Sequence, residues 1–128
     1  MKKLLIVVAV ILFCTAFTMW ENSRVFVSRY TLTSDKVESS LKIAQVSDFH
    51  SCELGEEAIS AVKKEAPDII VITGDLIDGG DVTLNTATDF VKGLSDIAPI
   101  YYVSGNHEFY SSHIDQRLLN PMGTTILF

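Results

Sequence analysis

Several residue types are scarce in this sequence, and each scarcity removes a class of function. There are only two cysteines, Cys14 inside an apolar run and Cys52 in a polar stretch, so no disulfide framework is available. The compartment cannot be read from them, and a lone Cys52 is a poor basis for a thiolate metal site. Lys and Arg number 10 against 16 Asp and Glu, a formal net charge of -6, and the basic residues form no cluster. A nucleic-acid partner is therefore disfavoured. Repeats and low-complexity tracts are absent. Histidine occurs three times, as His50, His107 and His113.

Charge is missing altogether from Leu4 to Trp20, 17 residues that also lack Pro and Gly. Such a run is near the lower limit for a membrane span, and Trp20 at its exit suits the interfacial belt. The run closes on Ala16-Phe17-Thr18-Met19-Trp20, without the small residues of a signal-peptidase site, although cleavage after Ser23 stays open as an alternative. Residues 1–20 are accordingly expected to be a single-pass anchor. Lys2 and Lys3 place the N-terminus in the cytoplasm and the rest outside it. Residues 21–40 form a juxtamembrane segment, in which the alternation of Val25, Val27 and Arg29 against Phe26, Ser28 and Tyr30 predicts an edge strand.

From residue 41 onward the pattern changes to strands alternating with helices. Leu41 to Val46 reads as a strand. Glu56 to Ala66 carries Ile59, Val62 and Ala66 on one helical face and stops at Pro67. Ile69-Ile70-Val71-Ile72 is a continuous apolar run, as expected for a parallel strand covered on both faces. Asp81 is a plausible N-cap for a helix bearing Leu84, Ala87, Val91 and Leu94. Pro99 to Val103 is a further strand, 112–119 a short helix, and Thr124 to Phe128 one more strand. The alternation predicts an α/β fold with a mixed, largely parallel sheet.

Three polar signatures each follow a predicted strand: Ser47-Asp48-Phe49-His50, Thr73-Gly74-Asp75-Leu76-Ile77-Asp78 and Ser104-Gly105-Asn106-His107-Glu108. Loops at the carboxyl ends of parallel strands line one edge, where ligands bind. Asp48 and His50, two apart on an extended backbone, point the same way and can hold a cation. Gly74 lets the chain turn to present Asp75, whose two oxygens can bridge two ions, and Gly105 does the same for the Asn106 amide oxygen. His107 can then reach a substrate oxygen. Singly, these are common turn sequences. Together, in steps of 27 and 31 positions from Asp48 to Asp75 to Asn106, they are far more specific. Such ligands suit borderline divalent ions such as Mn, Fe or Zn. Two such ions against two carboxylates leave a cationic centre that attracts phosphate.

The combination resembles the calcineurin-like metallophosphoesterase superfamily, in its small membrane-associated bacterial branch, over residues 41–128. The resemblance implies the first half of an α-β-β-α sandwich. It implies two divalent metal ions held by Asp48, His50, Asp75 and Asn106, with His107 as general acid. Asp78 would be structural or supporting, and Glu108 would orient His107. A phosphoester is the implied substrate. The pattern continues in the family with a further His and then Gly-His-x-His, which this sequence does not contain. Thr124 to Phe128 also stops inside an apolar strand pattern. The expectation is a metal-dependent phosphoesterase represented by its N-terminal part and inactive as it stands. The alternative is a non-catalytic membrane-tethered module that pairs with a polypeptide supplying the missing half-domain.

Overall fold

A computed structural model of the chain describes residues 2–78, 84–110 and 123–127. Its first element is α1 (Lys2–Asn22), whose 21 residues reach about 31 Å at 1.5 Å per residue. Mean hydropathy is 2.3 over Lys2–Glu21, and none of this stretch is buried in the protein. The helix is long and apolar enough to cross a membrane.

The remaining elements are β1 (Ile43–Val46), α2 (Gly55–Glu65), β2 (Ile69–Thr73), α3 (Leu84–Ser95), β3 (Ile100–Val103), α4 (Asn106–Tyr110) and β4 (Thr125–Ile126). The four strands form one parallel sheet in the order β1-β2-β3-β4. This is the α/β architecture that the alternation predicts. The expected N-cap Asp81 and the expected helix over 112–119 lie outside the described residues.

A parallel sheet whose strands step always in one direction receives its crossover helices on one face. The register shows the consequence. Ala44, Val46, Ile70, Ile72, Ile100, Tyr102 and Ile126 share the face under α2 and α3, with Ile70, Ile72 and Tyr102 fully buried. Ala87, Phe90, Val91 and Leu94 of α3 close that core from above, while Ile59 and Val62 of α2 pack at its margin. The opposite face carries Ile43, Gln45, Ile69, Val71, Thr73, Tyr101, Val103 and Thr125, and none of these is buried. The β2 run is thus covered on one face, not both, because the helix that would cover the second face is not among the described elements.

The edge strand expected within residues 21–40 does not form. Residues 24–34 carry no strand pairing and run beside α2 instead. There Arg29 makes a two-pronged ion pair with Glu65 of α2, one arm being Nε to Oε2 at 3.3 Å, and Lys42 Nζ lies 3.2 Å from the same Oε2. The Arg29 hydrogen bond, reinforced by that from Lys42, holds the Glu65 carboxyl below the usual carboxylate range. The alternation is real, but it is satisfied against a helix: Val25, Val27 and Arg29 turn toward α2, and Phe26 and Tyr30 face solvent.

The one-sided core has a direct test in urea melts. Ile72→Ala, beneath α3, should cost about 2–5 kcal/mol. Val103→Thr, on the open face, should stay within about 0.5 kcal/mol.

Candidate metal centre

All three signatures meet at the carboxyl-end edge of the sheet, and backbone hydrogen bonds carry them there. Past the end of β1 the chain keeps donating to the segment after β2. Asp48 N–H reaches the Gly74 carbonyl (3.3 Å), His50 N–H that of Asp75 (2.9 Å) and Ser51 N–H that of Leu76 (3.1 Å). The ladder is continued by a backbone that is no longer extended. Asp48, His50 and Ser51 have φ of 54°, 47° and 48°, and Asp75 has 50°. The extended geometry expected for Asp48 and His50 is therefore replaced by left-handed residues, which cost L-amino acids about 1–2 kcal/mol each. Phe49 between them explains how this is tolerated. Its ring is buried and stacks on Phe90 of α3 at 3.8 Å between centroids and 7° between planes, so the loop is pinned from below while its polar residues stand above. An aromatic between two polar ligands was the available signal for that anchor, and sequence reasoning passed over it.

The second and third signatures approach so closely that two glycines are needed. A Cβ on Gly74 (φ 81°) would lie 2.8 Å from the Gly105 Cα, and one on Gly105 would lie 2.5 Å from the Asp75 backbone nitrogen. Backbone cannot swing aside, so both positions exclude a side chain. Across this contact, Glu108, only 3% exposed, accepts three amide hydrogens: Asp75 N–H (2.9 Å) and Gly105 N–H (2.8 Å) on Oε2, and Ile77 N–H (3.0 Å) on Oε1. His107 N–H donates to Asp75 Oδ1 at 3.1 Å. Asn106 and His107 are the first residues of the short helix α4 rather than loop residues.

These ties assemble two overlapping groups. Ligand atoms of Asp48, His50 and Asp75 lie within 4.8 Å of one another, and so do those of His50, Asp78 and His107. His50 belongs to both, and its ring meets that of His107 edge-on at 4.7 Å. Asp78, not Glu108, faces His107, with Oδ1 3.6 Å from Nδ1. Asn106, on the same edge, is exposed. Cys52 joins neither group and instead packs against the core. The expected ligands Asp48, His50 and Asp75 are thus brought together, with His107 and Asp78 beside them.

The donor set fits a cation. Two carboxylates held within 4.8 Å repel by roughly 1–3 kcal/mol, depending on solvent screening. A divalent ion between them reverses that sign. Carboxylate oxygen with imidazole nitrogen is the set that borderline divalent ions accept.

Comparison with known proteins agrees with this geometry. The profile of the family described as calcineurin-like phosphoesterase matches residues 41–125. An uncharacterised metallophosphoesterase of Aquifex aeolicus is 32% identical over 102 residues, covering 74% of this chain and 39% of that protein. A bovine transmembrane protein with metallophosphoesterase domain is 36% identical over 84 residues, covering 59% of this chain and 18% of that protein. A metallophosphoesterase of Campylobacter jejuni is 30% identical over 82 residues. The chain thus spans about two-fifths or less of the length of these relatives.

Two substitutions test the assembly. Glu108→Gln replaces an acceptor oxygen by an amide that faces backbone N–H groups, and should cost about 1–3 kcal/mol in chemical denaturation. Gly105→Ala should push Asp75 out of place, seen as loss of Mn²⁺ binding by calorimetry.

Proposed function

Because this chain belongs to the calcineurin-like phosphoesterase family, we propose that it carries the N-terminal share of a dinuclear metal centre that hydrolyses a phosphoester. The observation that supports this reading most directly is the convergence of Asp48, His50 and Asp75 ligand atoms within 4.8 Å, at the edge where α/β sheets bind ligands.

In this reading Asp48, His50, Asp75 and Asn106 would hold the divalent ions, Asp48 and His50 the first and Asn106 the second, with Asp75 able to serve both. Bound ions of the Mn, Fe or Zn type would polarise phosphoryl oxygens and acidify water. The chain's own residues do the remaining work. As an acid His107 would be the imidazolium, protonated on both nitrogens: Nδ1 faces Asp78 Oδ1 at 3.6 Å, which leaves Nε2–H for the leaving oxygen. The bond from His107 N–H to Asp75 Oδ1 ties the position of that acid to the ligand beside it. Glu108 keeps the segments bearing Asp75 and Gly105 at a fixed separation. We place α1 in the membrane as a single-pass anchor with the domain on the extracytoplasmic side. A polypeptide layer over the open sheet face, whatever its source, would supply the further imidazoles of the family pattern.

Asp75 and His107 separate the roles. Asp75→Ala should weaken Mn²⁺ binding by more than about 100-fold, beyond the 10–100-fold typical of losing a supporting group. In the assembled protein, His107→Ala should leave Mn²⁺ binding unchanged by calorimetry and slow cleavage of a phosphodiester about 10²–10⁴-fold, less for good leaving groups. Metal loss in His107→Ala would make it a ligand. Metal binding without turnover in the assembled protein would select the non-catalytic, membrane-tethered reading.

A further inference from the structure

Apart from the candidate metal centre, a cluster of positive charge lies where the juxtamembrane segment crosses α2. An open cavity of about 390 Å3 separates them, lined by Arg24, Arg29 and Lys64, by Glu57 and Glu65, and by the apolar Val25 and Val27. Lys42 adds a fourth cation through its contact with Glu65. Four cations facing two carboxylates make this a basic spot in a chain of net charge -6. Arg29 and Lys42 are both committed to Glu65, which leaves Arg24 and Lys64 to set the potential of the cavity.

The state of Arg24 shows what the cavity asks for. Its guanidinium carbon stands 3.1 Å from the centroid of the Trp20 ring, so the charge is held by an aromatic face and not by an anion. One terminal nitrogen is buried and has no hydrogen-bond partner among the described residues. A buried donor left without an acceptor is unfavourable, and an incoming anion would relieve it. A guanidinium also matches two oxygens of a phosphate at once.

Position selects which phosphate. Arg24 follows the end of α1 by two residues, and Trp20 lies on the last turns of that helix. The neighbouring segment exposes Phe26, Tyr30 and Leu32 by 67%, 87% and 94%. A basic cavity at the exit of a membrane-length helix, beside a segment that turns exposed apolar side chains to solvent, lies at the depth of lipid headgroups. We propose that this cavity binds the phosphodiester headgroup of an anionic phospholipid. Arg24 and Lys64 contact the phosphate, and the lipid thereby fixes the juxtamembrane segment along α2. It shares no residue with the metal centre, so it stands independently of the phosphoesterase reading.

Trp20 is the single tryptophan, which makes the test direct. The full chain is reconstituted in vesicles of phosphatidylcholine with increasing phosphatidylglycerol, and Trp20 emission is followed. Phosphatidylglycerol should shift the emission saturably as the headgroup draws Arg24 from the indole. Lys64→Gln, which leaves the indole contact intact, should raise the phosphatidylglycerol needed about fivefold, and Arg24→Gln, which has no guanidinium to draw from the indole, should abolish the saturable shift. Lys92→Gln, on α3 outside the cavity, should behave as the parent chain. No shift with phosphatidylglycerol, or equal weakening by Lys92→Gln, would overturn the proposal. So would the same response to inorganic phosphate over phosphatidylcholine alone, which would make the ligand a soluble anion.

Discussion

The buried carboxylate of Glu108 is the constraint on which the rest of the site depends. Its two oxygens take the amide hydrogens of Asp75, Ile77 and Gly105, drawn from two chain segments about 30 positions apart. Three donors around one carboxylate offset the cost of burying it, and a bond to a charged group contributes about 1.5–3 kcal/mol. The bonds also set the separation at which Gly74 and Gly105 touch backbone to backbone. From that separation follow the place of Asp75 and the bond between its Oδ1 and His107 N–H. The first signature is then laid against the second by its own amides, through bonds to the carbonyls of residues 74–76. The chain thus builds its polar edge outward from a buried acid whose partners are backbone amides.

Strand existence and order of appearance were legible in the sequence because continuous β-branched runs between helical periodicities have few other readings. Ile69 to Ile72 and Leu84 to Leu94 needed no tertiary information. The misread segment is instructive. Arg24 to Tyr30 alternates as a strand should, but period-two alternation reports only that two faces differ, not what lies against them. Here the neighbour is α2, and the Arg29–Glu65 pair, separated by 36 positions, is what chose it. No local pattern announces such a pair. The site was legible as a set of residue types and poorly legible as a conformation. Asp48, His50 and Asp75 meet as their spacing implied, but through left-handed backbone that their identities do not advertise. Glu108 was visible as part of a signature, while its role as acceptor for three amides depends on a depth of burial that sequence does not display.

The same sheet topology that gathers the ligands also exposes them to whatever covers the open face. With strands in the order β1-β2-β3-β4, the helices α2 and α3 take one side, and no layer covers the other among the described residues. The upper row of that open face is continuous with the metal centre. Gln45 donates to the Thr73 hydroxyl (3.0 Å), and the single Ser47 hydroxyl hydrogen has the Thr73 carbonyl (3.1 Å) and the Asp48 carboxylate as its alternative acceptors. Val103, one step beyond, leads directly into Ser104-Gly105. A polypeptide layer packed against Ile43, Val71, Tyr101 and Val103 would therefore border Asp48 and Asp75 from the side that α2 and α3 leave vacant. In the proposed reading, burial of that face and completion of the ligand set would be one event, since the apolar area ends where the carboxylates begin. In that reading, a centre arranged in this way would acquire its last ligands when its sheet is covered. Until then the two carboxylates stay solvent-screened, and their mutual repulsion stays near the lower end of the range set by their spacing.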